Sequence, residues 1–130
     1  MAITTAMITE ALDKPGDILR LDEVLPKFKY SYLAWYPENE HIIQRFEEIS
    51  VFLKINGKRE FYGANAVWEH IRWRTLLESK WDKYKLPAFA CPITSRVVMA
   101  LNPELENMFF TVVTNPDHPL HHSNRKEIDE

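Results

Sequence analysis

Between residues 64 and 79 the apolar positions form two stripes. At about 100° per residue, Ala64, Val67, Trp68, Ile71 and Thr75 share one side, and Ala66, Trp73 and Leu77 lie roughly opposite. A helix apolar on two sides is expected to be buried on two sides, and to have the rest of the chain wrapped around it. Its polar groups fall in the seams, Asn65 and Arg72 along one and His70 and Arg74 along the other. Upstream, Ile42, Phe46, Ile49 and Leu53 recur at i, i+4, i+7 and i+11, which predicts a one-sided amphipathic helix over 39–55. Asn39 is placed to cap it through its side chain, and Asn56-Gly57 to end it with glycine in the left-handed conformation.

Downstream, Pro92 suits the first position of a helix over 92–101. Ile93, Val97, Ala100 and Leu101 would form its buried face, with Ser95 and Met99 outermost and Arg96 at the border. Residues 109–114 are β-branched and aromatic and read as a strand. No sustained period runs through the first 38 residues, although 3–12 fits a short helix. Pro26 and Pro37 interrupt any longer element, and Tyr30, Tyr32, Leu33, Trp35 and Tyr36 make an aromatic cluster. Residues 1–38 therefore read as an N-terminal arm that docks by its aromatics; as a partner-binding surface instead, it would use Tyr32, Trp35 and Tyr36. Residues 39–114 form the helical core domain, and 115–130 a polar, frayed C-terminal tail.

With 130 residues the chain has room for one domain with a real core. The single cysteine, Cys91, excludes an internal disulfide and fits a reducing interior; Ala90 and Pro92 beside it make it a small core residue rather than a reactive thiol. No signal peptide is apparent at the start, and no apolar run approaches the roughly 20 residues of a membrane span. A soluble cytoplasmic protein is expected, with no membrane partner. Net charge is −3, but residues 54–100 carry +5 between ends of −4 each. Ordinary surface charge accounts for such unevenness; the alternative is a basic region directed at nucleic acid.

Candidate chemistry is sparse. The three glycines make no phosphate-binding loop, one cysteine excludes spaced zinc patterns, and His118, His121 and His122 lie in a polar tail. Glu69 and His70 are adjacent, so on a helix they point about 100° apart and do not orient each other. A non-enzymatic protein without cofactor or metal is expected. The order of elements, helix, extended link, helix, loop, helix, strand, is that of a helix-turn-helix or winged-helix module. The predicted fold is thus mainly α with minor strands, a compact three-helix domain with an N-terminal arm. In that reading 92–101 is the recognition helix, 109–114 belongs to the wing, and Arg72, Arg74, Lys80, Lys83, Lys85 and Arg96 contact phosphates. The outward residues of the third helix are poor in donors that read bases, and the loop before it exceeds the usual tight turn.

Tyr62-Gly63-Ala64, Val67-Trp68-Glu69, Ile71-Arg72-Trp73, Tyr84-Lys85-Leu86, Arg96, Asn102-Pro103-Glu104-Leu105 and Phe109-Phe110 together resemble a pattern in small uncharacterised phage and prophage proteins. The resemblance spans residues 37–111 and brings no established activity with it. Where such proteins have a polar, asparagine-rich stretch after the lysine, this chain has Pro87-Ala88-Phe89. The acidic ends, the aromatic arm and the absence of catalytic groups point to a small inhibitor or adaptor that binds a host or phage protein, expected in the cytoplasm of a bacterial host. Duplex DNA is the alternative partner.

Overall fold

In the computed structural model, residues 3–13, 21–57, 62–78, 86–109, 114–119 and 121 are described. They form five α-helices: α1 (Thr5–Asp13), α2 (Pro26–Trp35), α3 (Glu40–Asn56), α4 (Ala64–Glu78) and α5 (Ala90–Leu101). Short 3-10 turns lie before α2 at Leu21–Glu23, between α2 and α3 at Tyr36–Glu38, and after α5 at Pro103–Leu105. The fold is mainly helical, and among the described residues the only β pairing is an isolated parallel bridge between Tyr62 and Phe109. Of the strand expected over 109–114, residues 110–113 lie outside the described set.

The centre of the molecule is α5, not α4. α5 packs against α1, α2, α3 and α4 in turn, and eight of its twelve residues are buried. Its polar side chains are accommodated by distant parts of the chain. The Tyr32 hydroxyl lies 3.1 Å from Thr94 Oγ1, Arg96 reaches Glu23 in the turn before α2, and Asn102, just past the helix, donates to the buried Glu47 at 2.8 Å. Ser95, expected outermost, is buried and donates to the Pro92 carbonyl.

α4 is buried on one side only. Val67, Trp68 and Ile71 enter the core, while Trp73 and Leu77 stand in solvent. Trp68 meets Phe46 of α3, ring centroids 6.2 Å apart, as the α3 stripe predicts. It also meets Trp35 of α2, ring centroids 6.1 Å apart.

The first 38 residues hold a second helix, α2, where no sustained hydrophobic period predicts one. Pro26 occupies its first turn, where a missing N–H costs nothing, and the helix closes just before Pro37. Between these limits Phe28, Tyr32, Trp35 and Tyr36 recur at helical spacing and face the core. Ile3, Ile8, Ala11 and Val24 join the same hydrophobic cluster as the later helices. The described part of 115–130 is also held. The backbone N–H groups of Thr114 and Asn115 each donate to the Glu23 carbonyl at 2.8 Å, and His118 sits 3.1 Å from Asp22.

Both ends of α3 differ from the sequence expectation. Asn39 precedes α3, but its side chain donates backwards to the Trp35 carbonyl, 2.8 Å, and makes no capping hydrogen bond. Gly57 follows α3 with φ −76°, ψ 158°, an extended rather than left-handed conformation. Glycine is required there by space, because a Cβ would collide with the Tyr62 hydroxyl and the Leu53 carbonyl.

Candidate functional site

The described members of the proposed phosphate-binding set do not share a surface. Arg96 is 4% exposed; it pairs with Glu23, 3.3 Å away, and donates to the Pro92 carbonyl at 2.8 Å. A buried guanidinium beside a buried carboxylate is an internal pair, and breaking it would strand a charge in the core. Arg72 bonds the Glu69 carboxylate and also the Leu86 carbonyl, 3.0 Å, thereby fastening α4 to the segment leading into α5. Only Arg74 is turned to solvent. Lys80, Lys83 and Lys85 lie outside the described residues. The expected recognition helix is unavailable for a groove of DNA, since no residue of α5 is exposed.

The aromatic set is likewise internal. Tyr32 and Tyr36 are buried and stacked at 5.8 Å, and Trp35 tilts against Tyr32 at 5.6 Å. Burial raises the pKa of the Tyr32 phenol, and the hydrogen bond with Thr94 offsets only part of that. Docking, rather than partner binding through these three rings, is what the structure contains. The same helical period turns Tyr30 and Leu33 outward, 75% and 50% exposed, with Lys27 and Lys29 beside them on α2. Beneath Leu33 a cavity of about 200 Å³ opens between Leu12, Leu21, Tyr32 and Ile93, with Lys29 on its wall.

A groove of about 570 Å³ lies between α3 and α4. Ile49, Phe52, Leu53, Ala66 and Val67 give it apolar walls, and Tyr62 and Gly63 close the end near the connection. Its ionisable rim consists of Glu48 on α3, and His70 and Arg74 on α4. His70 is exposed on this rim, and its neighbour Glu69 is paired with Arg72. Phe52 on its wall is 63% exposed, and on the same two helices Ile55, Trp73 and Leu77 are 73%, 65% and 83% exposed.

Cys91 contributes no reactive group. Its thiol is buried, lies 3.4 Å from Asn65 Oδ1, and is pushed up to about 12, chiefly by desolvation, against the smaller opposing effect of Arg72. It remains a neutral thiol near pH 7. Among the described residues no cluster of histidine, cysteine and carboxylate side chains is arranged to hold a metal ion, and no helix is long and apolar enough to cross a membrane.

These features describe a small helical domain whose exposed surface chemistry is apolar and mixed in charge. In comparison with known proteins, no family model matches the chain, and neither a curated protein nor a solved structure does.

Proposed function

We propose that the chain is a non-enzymatic interaction protein, a small inhibitor or adaptor that binds another protein through the outer face of α2. The observation that carries this reading is the outward pair Tyr30 and Leu33, one turn apart and flanked by Lys27 and Lys29. An amphipathic aromatic and an aliphatic side chain ringed by ammonium groups suit a docking segment that brings apolar side chains together with carboxylates. The resemblance over residues 37–111 supports a host or phage protein as that partner.

The test is affinity capture from bacterial lysate with the full chain and with a Tyr30→Glu/Leu33→Glu variant. The wild type is expected to retain one protein at near-stoichiometric yield, and the double variant to lose it while keeping its helical circular dichroism. Absence of a specific partner, or equal capture by both proteins, would overturn the reading.

A further inference from the structure

A second surface, independent of the α2 face, has its own chemistry. On α4, Ala66, His70, Trp73 and Leu77 fall on one side at about 100° per residue; Ala66 and His70 line the groove, so Trp73 and Leu77 extend its wall. On α3, Ile55 extends the wall formed by Phe52 in the same way. Four large exposed side chains thus flank one groove on two packed helices. Single exposed apolar residues are ordinary, whereas a contiguous patch marks an interaction site.

The charges indicate the occupant. The anionic rim residue, Glu48, belongs to α3, and the cationic one, Arg74, to α4. Residues 57–63 connect the two helices, and such close neighbours run antiparallel. Leu53 and Gly63 then mark the connected end of the groove, and Glu48 and Arg74 its far end. A twofold axis laid along this groove would place α3 of one copy over α4 of the other. Glu48 then meets Arg74 of the opposing chain, twice by symmetry, and the apolar walls meet between them. Self-complementarity of this kind is what a twofold interface requires.

We propose that the α3–α4 face is a homodimer interface, in which two copies of this chain join their helix pairs into a four-helix layer with paired Glu48–Arg74 contacts. The α2 face remains open on each protomer, so the dimer presents two copies of the partner surface proposed above.

Sedimentation velocity over a concentration series tests this with the full chain and its charge-reversal variants. The wild type is expected to sediment as a dimer. E48R and R74E should each raise the dimer dissociation constant by about tenfold or more, since like charges then face each other. Mixing E48R with R74E should restore dimer, because both facing pairs become attractive in the mixed species, and the double variant E48R/R74E should restore it as well. A wild-type chain that stays monomeric throughout the series overturns the proposal. So does a dimer indifferent to both reversals and to Trp73→Glu, or one weakened by the reversals and not restored by mixing.

Discussion

Trp68 and Trp73 occupy one helix and opposite environments, and the difference is measurable. Trp68 is fully buried between Phe46 and Trp35, whereas Trp73 is two-thirds exposed. Trp68→Ala should cost about 3–5 kcal/mol, the range for deleting a large aromatic from a core. At protein concentrations below the dimer dissociation constant, Trp73→Ala should fall within about 0.5 kcal/mol of the wild type, as for other surface substitutions. Urea denaturation of both variants checks the pair, and similar midpoints would mean that burial on α4 is assigned to the wrong stripe. The sequence makes both stripes visible without ranking them, because each is apolar and helically spaced. What ranks them is Trp35, which reaches Trp68 from a helix whose existence the proline positions concealed. The burial of Arg96 is hidden in the sequence for a related reason. A single arginine at the border of an apolar face looks solvent-exposed until Glu23, distant in sequence, is found against it.

At the scale of elements, α3 and α5 were legible as helices with their apolar faces, and α1 as a short helix, since each carries a strong local period. α2 is not legible, because Pro26 and Pro37 resemble interruptions in sequence and are the two limits of a helix in the fold. The end-to-end burial of α5 was also illegible, because it depends on partners contributed by the first 38 residues. The attachment of α1 is equally non-local. The carboxylate of Glu40, at the start of α3, accepts the Thr5 N–H at 2.7 Å and also bonds the Thr5 hydroxyl. It therefore occupies the N-terminal end of α1, where free N–H groups and the helix dipole favour an anion. These hydrogen bonds hold Glu40 below its ordinary pKa. A carboxylate with a lowered folded pKa contributes stability that is present above its unfolded value of about 4.3 and is lost as pH falls through the folded one. Hydrogen exchange should show α1 amides losing protection on acidification below that range before α3 amides do, and Glu40→Gln should weaken α1 protection already at neutral pH. Equal protection of α1 in the variant and the wild type would show that the contact does not fasten the helix.

At the scale of the whole molecule, the expected division into an arm, a core of residues 39–114 and a tail meets a single hydrophobic cluster that draws on both sides of residue 38. Ile3, Ile8, Val24, Tyr32 and Tyr36 are all buried in it. Burying one such side chain is worth roughly 1.5–3 kcal/mol, so five together match the roughly 5–15 kcal/mol by which a typical domain is stable. Their removal would also expose what they cover. Thr94 would lose the Tyr32 hydroxyl, Arg96 would lose the Glu23 carboxylate, and Trp68 would lose Trp35. A chain truncated to residues 39–130 is therefore expected to lack a cooperative thermal transition and fixed near-ultraviolet dichroism, while retaining part of its helical signal. A truncated chain that melts cooperatively within a few degrees of the full one would show that residues 39–114 carry a sufficient core of their own. The N-terminal segment would then be an appendage, and the α2 face a surface held outside the fold rather than built into it.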